Sequence, residues 1–133
     1  MNACVGAIIL RQGRVLLGLR SAHRSLPNRW DMFGGHIEKG ETELDALLRE
    51  IEEELGIRPT QFARIAQFSL DQDSQPINLA AYEVREWTGG EPDMPGDEHS
   101  EIAWFTFSEA VQLPNLSDQG LGAMLQTLQV LEE

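Results

Sequence analysis

The first third of the chain alternates short apolar runs with polar connections. Residues 3–10 and 15–20 are mostly apolar, and the four residues between them include Gly13. A short glycine-containing connection between two such runs predicts two antiparallel strands joined by a tight turn. A third short strand is expected over residues 30–33. It should stop at the double glycine of residues 34–35, and we expect a turn to follow.

The spacing of the apolar residues changes to a helical period after the double glycine. Thr42 and Asp45 have the spacing of a capping box, and Gly56 is a typical C-terminal stop, so a helix is predicted over residues 42–55. Its apolar residues at helical spacing are Leu44, Leu47, Leu48, Ile51 and Leu55. We expect this apolar stripe to form the buried face of the helix.

The rest of the chain predicts further strands followed by helices. Strands are expected over residues 61–69 and 77–87, joined by a polar turn at residues 71–76, and again over residues 101–107. Ser108 is the expected cap of a short helix. A C-terminal amphipathic helix is predicted by a stripe that consists of Leu121, Met124, Leu125, Leu128 and Leu131. This order predicts an α+β fold, with a mixed sheet covered by helices.

Size and charge restrict the function classes. The 133 residues are expected to form one domain over residues 1–133. Ten Lys and Arg against 22 Asp and Glu give a net charge of -12, which argues against binding polymeric nucleic acid. A small nucleotide is still compatible, because bound cations or a few basic groups can reverse the sign in one pocket. The lone Cys4 excludes an internal disulfide, and the run 3–10 is too short to cross a bilayer. We therefore expect a soluble, cytoplasmic protein without a membrane partner.

Three carboxylates share one face of the predicted central helix. At roughly 100° per residue, Glu50, Glu53 and Glu54 project to the same side. Like charges at this spacing destabilise a helix by about a few tenths of a kcal/mol per pair. A divalent cation would offset the repulsion, and oxygen ligands favour a hard ion such as Mg²⁺ or Mn²⁺. The alternative is a solvated acidic face, because most charge runs serve only solubility.

The sequence around these glutamates has a defined spacing. From Gly35 onward it has Gly, five residues, Glu, seven residues, Arg-Glu, an aliphatic residue, any residue, Glu-Glu, any residue, Gly and an aliphatic residue. This run, residues 35–57, resembles the Nudix box at every defined position. Agreement by chance at so many fixed positions is negligible.

The resemblance to the Nudix family implies a fold, an activity and a set of metal ligands. Nudix proteins have an α/β/α sandwich around a mixed sheet. They hydrolyse a nucleoside diphosphate linked to another group, using water and a divalent metal ion, Mg²⁺ or Mn²⁺. Carried over to this chain, the implied metal ligands are the carboxylates of Glu50, Glu53 and Glu54 and the carbonyl group of Gly35.

The resemblance also implies supporting residues around the metal. Gly34 and Glu41 would position the loop before the helix, and Arg49 would support catalysis by orienting a neighbouring glutamate. A base must accept the proton of the attacking water. In this family it comes from the box or from a later loop, so Glu53 and Glu98 are both candidates.

Substrate choice depends on residues outside the box. The chain resembles the MutT-like branch, which removes pyrophosphate from nucleoside triphosphates, including oxidised guanine nucleotides. The resemblance implies a phosphate contact for Arg20 and recognition of the purine edge by Asn115, whose alternative is a turn or cap residue. Trp30, Phe33 or Tyr82 would supply a wall for the base. Phe33 replaces the proline that many close members have, which weakens the inference to oxidised guanine.

Two other readings remain open. The first is a Nudix hydrolase of a nucleotide sugar such as ADP-ribose, or of a dinucleoside polyphosphate, although these usually show additional motifs. The second is a non-catalytic Nudix sensor that binds a nucleotide, although such proteins typically lose box glutamates. In each case the expected partner is a small nucleotide, and the chain is either a monomer or a homodimer.

Overall fold

The computed structural model describes residues 2–24, 27–72, 75–96, 98–117 and 121–132. The elements in chain order are β1 (Asn2–Arg11), β2 (Arg14–Arg20), β3 (Trp30–Asp31), β4 (Phe33–His36), α1 (Glu43–Leu55), β5 (Arg58–Gln72), β6 (Gln75–Thr88), β7 (His99–Thr106), α2 (Phe107–Val111) and α3 (Leu121–Glu132). No helix within these described ranges is long and apolar enough to span a membrane.

The strands of the described residues form one mixed sheet. Its main path runs in the order β3-β2-β1-β6-β5, while β4 pairs with β1 and β7 pairs with β2. β1 is parallel to β6 and antiparallel to β2 and β4. The predicted hairpin of β1 and β2 is confirmed, with Gln12 and Gly13 at its turn. Both have positive φ, 52° and 76°, as a two-residue primed turn requires.

Helices cover both faces of this sheet. On one face α1 packs Leu47, Ile51 and Leu55. The other face is covered by α2 and α3, in a cluster that includes Ile8 of β1 and Leu121 of α3. Because successive residues of a strand point to opposite faces, β1 contributes to both clusters. The predicted α+β fold, a mixed sheet between helices, is confirmed.

The expectation that the strand stops at the double glycine of residues 34–35 is wrong. Both glycines lie inside β4, where Gly34 pairs with Gly6 and Gly35 with Val5 of β1. A Cβ atom on Gly34 would collide with the carbonyl oxygen of Val5, so the absent side chain permits the close approach of the two strands. The double glycine therefore brings the backbone of β4 close to its neighbours instead of reversing the chain.

The central helix begins and ends as predicted, but its buried face is rotated. Thr42 and Asp45 form the reciprocal capping box, and Gly56 ends the helix with φ 70°. Leu47 is fully buried, whereas Leu44 is 45% exposed. The expectation that Leu44 lies on the buried face is therefore wrong. Glu54 takes part in the buried side of the helix, which shifts the apolar stripe toward Leu47.

Other boundaries also differ from the sequence prediction. The expected turn at residues 71–76 is shorter, because β5 and β6 remain paired as far as Gln72 and Gln75. Thr106, and not Ser108, caps α2, where it forms a capping box with Glu109. The side chain of Leu131, the last member of the predicted stripe in α3, lies outside the described residues.

Leu47→Ala is expected to lower the free energy of unfolding by about 3 kcal/mol, because the truncation leaves a cavity in the core. Leu44→Ala is the matched control on the same helix, and it should change stability by less than about 0.5 kcal/mol. Urea unfolding of both variants measures the difference. Equal losses would show that α1 packs through another face.

Candidate active site

The acidic side of α1 lies against the double glycine of β4. A Cβ atom on Gly35 would be only 2.6 Å from Oε1 of Glu50, so this carboxylate lies against the bare backbone of the strand. The backbone of Gly34 forms a hydrogen bond with Glu54, which favours the charged form of that carboxylate. The two glycines thus let the helix bring Glu50 and Glu54 onto the strand.

Three carboxylates meet at this point. Glu50, Glu54 and Glu98 each place one oxygen within 4.8 Å of the others. Glu54 is 6% exposed, and its Oε2 atom has no hydrogen-bond partner among the described residues. Burial, followed by the charges of Glu98 and Glu50, raises the pKa of Glu54. Burial also raises the pKa of Glu50. A buried, oxygen-only set with an unpartnered carboxylate oxygen fits a hard divalent cation.

Glu53 lies beside this group and not within it. Its side chain is 52% exposed and lies 3.4 Å from the Arg49 guanidinium. Together with Glu54 and Glu98 it lines a small cavity of about 10 Å³, which is close to the space that one water molecule needs. The structure therefore brings together Glu50 and Glu54 as expected but adds Glu98 from the loop before β7. A metal-ligand role for Glu53 stays a prediction.

Arg49 connects the loop before α1 with the acidic group. Its Nε and Nη2 atoms donate to the two carboxylate oxygens of Glu41, at 2.7 and 2.9 Å, and its Nη1 donates to Glu50 at 2.8 Å. Glu41 also accepts a hydrogen bond from the backbone N–H of Glu38. The bond from Arg49, followed by that from Glu38, lowers the pKa of Glu41 to about 2. Arg49 thus holds both the loop and one carboxylate of the group.

His99 separates the carboxylates from the core. It is buried, and its Nε2 atom lies 3.9 Å from Oε1 of Glu54. Burial, followed by the charges of Arg20 and Arg24, lowers its pKa to about 4. Its ring packs edge-on against the fully buried ring of Phe33, with 5.0 Å between the centroids. His99 and Phe33 are therefore in direct contact beside the carboxylates.

A cavity of about 160 Å³ is bordered by β4. Arg20, Arg24 and Asp31 line it, together with Phe33 and other residues of β1, β4 and β6. The predicted phosphate-binding residue Arg20 thus borders the cavity. Arg24 also approaches the carboxylates, with 4.0 Å between its guanidinium and Glu98. β4 thus borders both the cavity and the acidic group.

Three residues that were expected near a base lie elsewhere. Trp30 is buried among the apolar residues under α2 and α3, and its ring contacts Phe105 edge-on at 5.0 Å. Tyr82 is buried under α1, where its hydroxyl group bonds Glu43. Asn115 donates its side-chain amide to the backbone oxygen of Asn28 at 2.9 Å.

Neither Trp30 nor Tyr82 lines the cavity, whereas Phe33, the third residue expected as a wall for the base, does line it. The rings of Trp30 and Tyr82 are buried in the core, one on each face of the sheet. The amide of Asn115 joins two loops, and the residue is not among those that line the cavity. This geometry matches the alternative that the sequence left open for Asn115, a residue that stabilises a turn.

Asp31 is the cavity residue that the sequence analysis missed. Its Oδ1 atom accepts a hydrogen bond from the backbone N–H of Met32 at 2.8 Å. Burial raises its pKa to about 6, against the opposing effects of the Met32 bond, the charge of Arg20 and a bond from Ser117. An acidic residue within an otherwise apolar strand segment was the available signal.

Asp31 is expected to make stability depend on pH. Its pKa of about 6 lies above its ordinary value of 3.8, so the folded protein retains a proton that the unfolded chain releases. The stability that this group contributes is complete below pH 4 and is lost as pH rises through 6, by up to about 3 kcal/mol. Asp31→Asn should remove the dependence. Urea unfolding between pH 4 and 8 measures it, and parallel profiles for both proteins would disprove the assignment.

Known proteins are similar to this chain in sequence and in fold. The NUDIX domain model matches residues 2–128. The CTP pyrophosphohydrolase of Escherichia coli (strain K12) is 34% identical over 114 residues, which cover 86% of this chain and 82% of that protein. The 8-oxo-dGTP diphosphatase of the same organism is 30% identical over 100 residues, 73% of this chain and 78% of that protein. The crystal structure of a MutT NUDIX hydrolase from Burkholderia pseudomallei has a TM-score of 0.82 at 27% identity, covering 94% of this chain and 95% of that one.

The chain belongs to the NUDIX domain family. The predicted family, with MutT-like relatives, is thereby confirmed. The predicted class of enzyme, a nucleotide pyrophosphohydrolase, is confirmed as well. The roles of individual residues and the extent of one domain over residues 1–133 stay predictions.

Proposed function

We propose that this protein hydrolyses nucleoside triphosphates to nucleoside monophosphate and pyrophosphate, with Mg²⁺ or Mn²⁺ held by Glu50, Glu54 and Glu98. The observation that carries the proposal is the unpartnered, buried oxygen of Glu54 between two other carboxylates. Three acidic groups this close repel one another, and a divalent cation converts that repulsion into ligation. When bound, the cation neutralises phosphate charge and lowers the pKa of a water molecule.

The protein's own residues position the ion's ligands. Arg49 fixes one oxygen of Glu50, and the absence of a side chain on Gly35 lets that carboxylate approach the strand. The carbonyl group of Gly35 is a further candidate ligand. Glu41 holds the loop through Arg49 and the N–H of Glu38. These contacts preorganise the oxygens before substrate arrives, so little reorganisation is needed during the reaction.

Glu53 is the proposed proton acceptor. Glu98, the other candidate, belongs to the buried acidic group, where its oxygens are required for ligation. Glu53 is more exposed, and it borders a cavity large enough for about one water molecule. A carboxylate in that position can take the proton of an attacking water while the other three remain ligands.

Arg20 and Arg24 are the proposed phosphate contacts. Both line the cavity beside the acidic group, in a protein whose net charge is -12. Local positive charge is therefore placed where a polyphosphate must pass to reach the carboxylates. Two relatives whose names specify CTP and 8-oxo-dGTP support a triphosphate as the substrate class. We further propose a cytoplasmic protein that acts on small nucleotides, without a polymeric nucleic acid or membrane partner.

Product analysis tests this proposal. The purified protein is incubated with Mg²⁺ and CTP, dGTP, 8-oxo-dGTP, ADP-ribose or a dinucleoside tetraphosphate, and the products are separated by anion exchange. Monophosphate and pyrophosphate from a triphosphate are expected. If ADP-ribose or the dinucleoside tetraphosphate is cleaved and no triphosphate is, the proposed substrate class is contradicted. Binding of nucleotide and metal without any cleavage would support a sensor instead.

A further inference from the structure

The cavity is lined by one partly buried acidic group that the proposed metal chemistry does not use. Asp31 lies on β3 and borders the cavity together with Arg20 and Met32. It takes no part in the group formed by Glu50, Glu54 and Glu98. A partly buried carboxyl group that lines a cavity and takes no part in the proposed metal site needs a reason to be there.

The hydrogen bonds of Asp31 fix its orientation. The backbone N–H of Met32 donates to Oδ1 at 2.8 Å, and the side chain of Ser117, which is 2% exposed, also bonds the carboxyl group. A carboxyl group offers about four acceptor sites. Two donors therefore hold it in place without using all four of these sites, and the residue lines the cavity.

We propose that Asp31 is a specificity-determining residue that recognises a nucleobase by accepting a hydrogen bond from its exocyclic amino group. This inference rests on the proposed function, because it requires that the cavity holds the base of a nucleotide substrate. Cytosine and guanine both present such an amino group. Uracil and hypoxanthine do not, and uracil instead presents an oxygen that Asp31 repels.

The neighbouring residues support this assignment. Asn115, the residue expected to recognise the base, uses its amide to join two loops. The aromatic candidates Trp30 and Tyr82 are buried in the core. Asp31 is thus the acidic side chain among the described residues that line the cavity. Arg20 and Arg24 border the same cavity, so one end can hold phosphates while Asp31 contacts the base.

Paired nucleotides test the role of Asp31. The kcat/KM values and the dissociation constants are measured for CTP against UTP and for GTP against ITP, with Mg²⁺, on the wild type and on Asp31→Asn. Each pair differs by an amino group on the base. Asparagine has the shape of aspartate but adds a donor, so it can bond the oxygen of uracil. The preference for the amino-bearing base should fall at least about tenfold in one pair, which also identifies the base.

Asp93→Asn is the matched control. Asp93 accepts the same local bond, from the N–H of Met94 at 2.8 Å, but it is exposed on the loop between β6 and β7. Its variant should keep both preferences. Unchanged preferences in Asp31→Asn, for both pairs and by both measurements, would overturn the inference. A different outcome is that the wild type binds the nucleotides without hydrolysing them, while Asp31→Asn loses the preference in binding. That outcome would contradict the proposed function and retain the inference.

Discussion

Replacing Glu54 by Gln is expected to lower turnover at least about a hundredfold without unfolding the protein. Glu54 provides a buried oxygen that has no hydrogen-bond partner, next to Glu50 and Glu98. An amide retains the shape of the side chain but is a poor ligand for a hard cation. It also removes the cost of burying an acidic group between two others, so the variant without metal should be at least as stable as the wild type.

Glu52→Gln is the control for this variant. Glu52 lies on the same helix, two residues from Glu54, and is exposed. Both substitutions change the net charge equally, so a general charge effect would alter both proteins alike. Initial rates with Mg²⁺ and thermal unfolding without it are measured side by side. If Glu54→Gln turned over substrate at the wild-type rate, the assignment of Glu54 as a metal ligand would be contradicted.

Replacing Arg49 by Ala is expected to lower turnover about 10–100-fold, although Arg49 touches neither metal nor substrate in the proposed mechanism. The guanidinium joins Glu41 through two bonds and Glu50 through a third. Without it, Glu50 loses its orientation and the loop before α1 loses its connection to the helix. The apparent affinity for Mg²⁺ should weaken together with turnover, because the ligand is misplaced.

Arg49→Lys separates geometry from charge. Lysine retains the positive charge but cannot make the two parallel bonds to Glu41, so it should recover only part of the activity. Arg64→Ala is the control, since Arg64 makes a partly exposed ion pair with Glu43 elsewhere on α1. Mg²⁺ titrations of the initial rate compare the three variants. Full activity of Arg49→Ala, with unaltered dependence on Mg²⁺, would contradict a positioning role.

The local features of the central helix could be predicted from sequence because they depend on neighbouring residues. The capping box of Thr42 and Asp45 and the stop at Gly56 follow from side-chain chemistry within one or two turns. The closeness of Glu50 and Glu54 follows from their spacing of four residues. The orientation of the buried face does not follow from local spacing, because helical projection alone leaves open whether Leu44 or Leu47 faces the sheet.

Long-range features were predicted less well. Glu98 is 44 positions after Glu54, and only the path of the loop before β7 brings the two carboxylates together. The strand was expected to stop at the double glycine because glycine often ends a strand. Here the two glycines lie within β4 and permit close strand contact. Trp30 and Asp31 are adjacent in the sequence, but one is buried under α2 and α3 and the other borders the cavity. Their different environments depend on the pairing of a two-residue strand with β2.

Binding of Mn²⁺ measured by electron paramagnetic resonance tests the central claim most directly, because it needs neither a known substrate nor turnover. Titration of the wild type should show bound Mn²⁺, and excess Mg²⁺ should displace it. Glu54→Gln and Glu98→Gln should each weaken binding at least about tenfold, whereas Glu52→Gln should bind as the wild type does. Equal Mn²⁺ affinity in all four proteins would contradict a metal site formed by Glu50, Glu54 and Glu98.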